Sequence, residues 1–247
     1  MLPSLQIGPL SIPTDAFILL VGLWVGLNVA ERRSHRHKVK REVLFNLATI
    51  TLGTGLVGAR FGYVARYHSI FFRNPSDIFS RNLGLMDPNI GIFIGFLSAL
   101  IYVQQKKLSF LAILDALSPA MSIMAIALGF AHLASGDAYG FPTTLPWGIS
   151  LWGAIRHPSQ IYEIMAASII FLLTISGKTL ISSNCKGSVF FSFLAMTAFA
   201  RLILDSFRGD SQLLIYGIRS MQVFSWVIFA FSFWVLSKLR VKNVKVL

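Results

Sequence analysis

Tyr139-Gly140-Phe141-Pro142-Thr143-Thr144-Leu145-Pro146-Trp147-Gly148, running on to Arg156-His157-Pro158-Ser159-Gln160-Ile161-Tyr162-Glu163, is the one long polar interlude between two apolar blocks in the second half of the chain. Glycine, proline and threonine supply turns. An arginine, a histidine, a glutamine, a tyrosine and a glutamate then crowd the start of an apolar run of membrane length. Polar side chains at the mouth of a bilayer segment are where function is expected, because such groups are costly there unless they are used.

The composition fits that frame. Of 247 residues 55% are hydrophobic, and the mean hydropathy is +0.67. A soluble domain cannot easily hide that much apolar surface, which points to a polytopic membrane protein. A spanning helix needs about 20 mainly apolar residues, so the chain has room for roughly seven with short connections. The net charge is +12, but the basic residues sit in short loops between apolar runs. They read as topology signals and lipid-headgroup contacts rather than as a nucleic-acid surface. The lone Cys185 excludes an internal disulfide, and no metal cluster or cofactor is implied. The first apolar run lacks a basic n-region and a small-residue cleavage site, so it is expected to be retained.

Read in order, the spans are expected at about 15–30, 43–64, 89–103, 108–134, 161–175, 189–207 and 222–236. The second carries Gly53, Gly55, Gly58 and Gly62, which permit close helix contact. The fourth is interrupted by Asp115 and Pro119, and a kink or short re-entrant start is expected there. The all-α architecture forms one transmembrane domain over 1–247, with small head segments at about 66–88 and 135–160. The loops after spans one, three and five (Glu31 to Glu42, Lys106-Lys107, Lys178 to Lys186) and the tail from Lys238 to Lys245 are basic. These four regions place the N-terminus outside and the C-terminus in the cytoplasm.

With that orientation Arg60, Asn89, His132, Asp137, the run Arg156–Glu163, Arg201, Asp205, Arg208 and Gln222 all fall at one depth, the outer-leaflet headgroup zone. Several polar groups from different helices at one level imply a polar cavity. Arg201, Asp205 and Arg208 have i, i+4, i+7 spacing and share one helix face. Arg201 with Asp205 can simply neutralise itself, and His132 can be a satisfied core histidine. Two arginines plus Arg60 suit a phosphate, because the guanidinium fork binds phosphate oxygens bidentately.

At these residues the chain resembles a known family. Arg156 to Glu163 is similar to the RHPSQLYE motif of prolipoprotein diacylglyceryl transferases, and Gly140 to Gly148 to their G-x-P-T…LPWG segment. Gly58-Ala59-Arg60-Phe61-Gly62-Tyr63, Asp115 with Pro119, Arg201 to Arg208, and Gln222 with Ser225 resemble further family elements in the same order. The resemblance implies seven helices in the bacterial inner membrane, and transfer of diacylglycerol from phosphatidylglycerol, or another anionic phospholipid, to the lipobox cysteine of a prolipoprotein. It departs at Leu128 to Asp137: the family's arginine falls on Gly129, its first asparagine on His132, its second on Ser135 and its glutamate on Asp137. The family's H-G-G segment is matched only by Asn89-Ile90-Gly91.

On this reading the catalytic set is His132 as base aided by Asp137, with Arg201 on phosphate and Asp205 orienting Arg201. Lipid contacts come from Arg60, Tyr63, Asn89, Arg208 and Gln222, and the entrance from Arg156, His157, Gln160, Tyr162 and Glu163. The rival class is a non-catalytic lipid-binding or assembly subunit of a larger membrane complex, motivated by the missing arginine and histidine. A channel or transporter fits less well, since no charged chain continues to the cytoplasmic side.

Overall fold

A computed structural model describes residues 4–7, 10–72, 74–80, 85–177, 180, 185–211 and 219–244. Arg73, Arg81, Lys178 and Lys245 of the loops and tail lie outside the described residues. A short antiparallel hairpin, β1 (Ser4–Ile7) with β2 (Leu10–Pro13), leads into α1 (Thr14–Arg33). Then follow α2 (Arg41–Arg66), the single turn α3 (His68–Phe71), α4 (Pro88–Gln105) and α5 (Phe110–Ser135). The hairpin β3 (Ile149–Leu151) and β4 (Ala154–Arg156) precedes α6 (Ser159–Ser176), α7 (Ser188–Leu204) and α8 (Ser220–Val244).

Seven of these helices are long and apolar enough to cross a membrane. They match the expected spans within a few residues, except that α8 continues beyond the expected Leu236. Leu20, Trp24, Ile92, Leu172, Phe224 and Trp226 are all more than 60% exposed. Large side chains turned outward in this number fit a lipid solvent and not water.

The helices associate as pairs, α1 on α5, α2 on α4, α5 on α6 and α7 on α8. Without a hydrophobic drive between helices in lipid, close packing of small residues takes its place. A Cβ on Gly58 would lie 2.7 Å from the Ile94 Cβ, and one on Gly91 only 2.9 Å from the Gly55 carbonyl oxygen, so α2 and α4 touch backbone to backbone. The two pairs α2/α4 and α1/α5 join through a buried apolar knot that includes Ala30, Leu44, Val103, Ile113 and Ala116. Elsewhere they are parted by an almost wholly apolar hollow of about 630 Å³.

The fourth span does not re-enter: α5 is one continuous helix through Pro119. The proline lacks the N–H that the Asp115 carbonyl would accept, but the Asp115 side chain has a separate use. Its Oδ2 accepts from the Gly187 N–H at 2.6 Å and its Oδ1 from the Phe190 N–H at 2.9 Å. Gly187, the residue at the head of α7, has no side chain of its own to cap it, so a carboxylate from another helix satisfies the exposed amides. At the same end Arg33 and Arg36 donate to the Ile175 carbonyl at the C-terminus of α6, at 2.6 and 3.3 Å.

Asp115→Ala should lower the stability of the detergent-solubilised protein by about 2–4 kcal/mol, since two charge-assisted bonds are lost and two buried amides are orphaned. Asp115→Asn, which keeps one acceptor, should lose less. Unfolding midpoints of the two variants check this; equal midpoints for wild type and Asp115→Ala would contradict it.

Candidate active site

The interlude folds into a small sheet laid over the end of the bundle where α5 and α7 finish and α6 and α8 begin. Trp152 and Gly153 both have positive φ, which closes β3 and β4 through a two-residue turn of the right twist. On the far side of β4 the 140–143 segment pairs with it, the Thr143 N–H donating to Ile155 and the His157 N–H to Phe141, both at 2.9 Å. That segment pairs in turn with 207–209, through Phe141 N–H to Phe207 and Gly209 N–H to Tyr139. The Arg156 guanidinium ties the layers by donating to the Leu151 and Gly140 carbonyls and lies 4.9 Å from the Tyr139 ring centre. Arg208 is therefore carried on the last strand of this sheet, which sets it above α6.

Beneath that sheet stands Glu163, on the first turns of α6 and only 7% exposed. Its Oε2 accepts from His132 Nδ1 at 2.9 Å. Its Oε1 accepts from Arg201 Nη1 at 3.0 Å and Arg208 Nη1 at 3.3 Å. Three cationic or donor groups from α5, α7 and the 208 corner thus meet on one carboxylate. Since the carboxylate accepts, His132 donates through Nδ1, and in the neutral imidazole Nε2 then carries the lone pair. Arg201 uses one donor here and keeps its side chain 36% exposed. Arg208 is more committed: it also grips Asp210 through two bonds, of 3.0 and 2.8 Å.

A cavity of about 550 Å³ opens beside this cluster, between α5, α7 and α8. His132, Arg201, Asp205, Arg208 and Ser225 line it together with apolar residues of the three helices. The arrangement can do two things chemically: hold an anion on arginine forks, and accept a proton on an imidazole whose far nitrogen is anchored. Among the described residues no group of three His, Cys, Asp or Glu side chains is placed to hold a metal ion.

Several expected partners are rearranged. Asp137 does not meet His132; it accepts from the Ser135 hydroxyl at 2.8 Å and is exposed. Asp205 does not meet Arg201; it accepts from Ser211 at 2.8 Å. In both cases the acidic partner is Glu163, read from sequence only as an entrance residue. Arg60 turns to loop carbonyls, donating to Ile78, Leu85 and Asp77 at 2.8, 2.8 and 2.6 Å. Tyr63 packs against Tyr67 and, edge-on, against Phe71. Asn89 is exposed on the first turn of α4, its amide capped by Asp87. No residue of α2 or α4 lines the polar cavity.

The remaining motif residues support the site from behind. Gln160 is fully buried and donates to the Asp137 carbonyl. His157 packs on Phe207, and the Tyr162 hydroxyl accepts from the Trp147 indole at 2.9 Å. Gln222 links α8 to α7 by donating to the Leu202 carbonyl at 3.4 Å, and to the Ser206 hydroxyl just beyond that helix at 3.1 Å. Gly129 is a crossing point: a Cβ there would sit 2.7 Å from Ile164 Cγ1 and 3.3 Å from the Ile164 amide. A long side chain at that position would force α5 and α6 apart.

Residues 3–238 match the family model described as prolipoprotein diacylglyceryl transferase. The chain belongs to the prolipoprotein diacylglyceryl transferase family. Relatives named phosphatidylglycerol–prolipoprotein diacylglyceryl transferase show the same breadth of match. One from Clostridioides difficile is 28% identical over 210 residues, covering 85% of this chain and 84% of its own. One from Rickettsia rickettsii is 28% identical over 214 residues, covering 82% of each. One from Streptococcus equi subsp. equi is 27% identical over 231 residues, covering 90% and 88%.

Asp210 gives the corner a pH signature. Burial raises its carboxyl, but the Arg208 hydrogen bond and charge outweigh this and hold it below the usual carboxylate range. The tie therefore stabilises the corner at every pH above that range and is lost as pH falls through the lower native value. Hydrogen-exchange protection of the Arg208 and Asp210 amides should stay constant from pH 7 to about 5 and drop only below the ordinary carboxylate value of about 3.9. Asp210→Asn should remove the drop; protection lost near neutral pH in the wild type would contradict the assignment.

Proposed function

We propose that the cavity beside Glu163 is the site of a diacylglyceryl transferase that uses phosphatidylglycerol as donor and a lipobox cysteine as acceptor. The observation that carries this is the single carboxylate joining a histidine base to two arginines at the cavity wall. The supporting context is membership of the transferase family.

The chemistry follows from the placement. The cysteine S–H gives its proton to His132 Nε2, because the thiolate is the nucleophile. The sulfur attacks the glycerol carbon that bears the phosphate ester. A C–S bond forms, the C–O bond breaks, and its electron pair leaves on the phosphate oxygen as glycerol phosphate. Arg201, with its open donors, and Arg208 hold that developing charge. Glu163 keeps the imidazole in the donating tautomer at Nδ1 and stabilises the imidazolium once it forms. Arg60, Tyr63 and Asn89 act at a distance in this scheme: Arg60 holds the Asp77, Ile78 and Leu85 carbonyls, Tyr63 packs on Tyr67 and Phe71, and Asn89 stands on the first turn of α4.

The chain lies in the bacterial cytoplasmic membrane with this cavity in the outer leaflet, the N-terminus outside and the C-terminus inside. The basic run Glu31 to Glu42 and the Lys106-Lys107 turn support that orientation, since both stand at the end of the bundle away from the cavity. A second reading, a lipid-binding member that turns nothing over and serves a larger membrane complex, is favoured by one feature: Gly129 and its crowded crossing leave no arginine on α5.

The test is a mass-resolved assay with the purified full-length chain, phosphatidylglycerol and a lipobox peptide. A diacylglyceryl thioether should form, and His132→Ala should lower its rate by about 10²–10⁴-fold, the usual worth of a positioned base. Folded wild-type protein that holds phosphatidylglycerol without transferring it would overturn the transferase reading in favour of the second.

A further inference from the structure

The pairing scheme of the cavity leaves one charge over. Arg201 and Arg208 are both engaged with Glu163, and Arg208 with Asp210 as well. Asp205 lines the same cavity and is 2% exposed. Its Oδ1 accepts from the Ser211 hydroxyl at 2.8 Å, whereas its buried Oδ2 has no hydrogen-bond partner. Among the described residues no cation stands within ion-pair distance of it, the ion pairs of Arg201 and Arg208 being to Glu163 and Asp210. A buried acceptor left empty is expensive, and in native structures such a group usually has a use.

Charge and spacing say what that use is. Three carboxylates, Glu163, Asp205 and Asp210, surround two arginines, Arg201 and Arg208. The cavity is therefore a poor sink for anions in general. It suits a phosphate that carries a hydrogen-bond donor a short way off. Asp205 directly follows α7, four residues after Arg201, and both line the cavity, so a headgroup held on Arg201 has Asp205 as a neighbouring acceptor.

We propose that Asp205 is the headgroup-reading residue of this cavity: with the phosphodiester on Arg201, Asp205 Oδ2 accepts a hydrogen bond from a donor at the far end of the lipid headgroup, a glycerol hydroxyl or an ammonium N–H. The proposal rests on the cavity taking a phospholipid head, as above, but not on any turnover there. It assigns to Asp205 a role in specificity in place of orienting Arg201. A lipid with the same phosphodiester charge and no distal donor leaves Oδ2 unsatisfied and also faces the carboxylate's repulsion. Sites built around such a donor reject the analogue that lacks it far more strongly than apolar pockets reject a change of size.

The experiment uses the purified full-length chain and displacement of a fluorescent phosphatidylglycerol by three lipids of equal chain length. These are phosphatidylglycerol, phosphatidylethanolamine and phosphatidylmethanol, the last anionic but without a headgroup donor. Wild type should bind phosphatidylmethanol about tenfold or more weaker than the better of the other two, the loss expected for one hydrogen bond to a charged group. Tighter binding of phosphatidylglycerol assigns the hydroxyl, and of phosphatidylethanolamine the ammonium. In Asp205→Ala the ratio should fall to within about twofold of unity. Wild type that binds phosphatidylmethanol as tightly as the others overturns the proposal, with no variant needed, and so does an Asp205→Ala protein that keeps the wild-type ratio. Discrimination without transfer to a peptide would defeat the transferase reading alone; transfer without discrimination would defeat this one alone.

Discussion

One buried carboxylate organises this end of the molecule. A charge at membrane depth is costly unless it is paired and hydrogen-bonded, and Glu163 meets that demand by drawing in His132, Arg201 and Arg208. These belong to separate parts of the chain, so the electrostatic requirement of one residue fixes how α5, α6 and α7 approach and where the 208 corner lands. The polar cavity is the space left beside that meeting point. Were Glu163 apolar, the two arginines would lose their shared partner, and nothing in the helix packing alone would bring them to the histidine.

The opposite end of the bundle follows the same logic with different groups. Asp115 on α5 reaches across to cap the start of α7, and Arg33 and Arg36, at and just after the end of α1, reach across to the end of α6. In a membrane, where helix association draws little from the hydrophobic effect, such long-range polar contacts and the glycine crossings of α2 and α4 set the arrangement. The two ends are thus pinned independently, the cavity end by charge pairing and the other by caps. The α2/α4 pair joins the rest through the apolar knot, and Arg60 holds the Asp77, Ile78 and Leu85 carbonyls beside it.

Much of this was legible in the residues. The seven spans follow from apolar run length, and the role of Gly58 in close contact from its place in a glycine-rich span. The convergence of His132, Arg201 and Arg208 followed from topology alone, because alternating spans put their polar ends at one level. The pairing within that level was not legible. Helix periodicity places Asp205 with Arg201 and chain proximity places Asp137 with His132, yet Glu163 takes both, through contacts 31 to 45 residues apart in sequence. Arg60 misled for the same reason: its depth is that of the site, but its neighbours are the carbonyls of its own following loop. The β3–β4 turn also escaped, since Trp152-Gly153 is not an Asn-Gly signal and only the backbone angles reveal it. The continuous α5 does not show the short re-entrant start offered near Asp115 and Pro119, because a helix can carry a proline where its neighbours pack against it.

The claim on which the rest depends is that Glu163 and the arginines act as one unit. A double-mutant cycle on the stability of the detergent-solubilised chain, with Glu163→Gln, Arg208→Gln and the pair, addresses it without requiring any activity. The account predicts a coupling of about 1–3 kcal/mol, the double variant being clearly more stable than the sum of the single losses implies. Single losses that add within about 0.5 kcal/mol would mean that the two side chains do not depend on each other, and would contradict it.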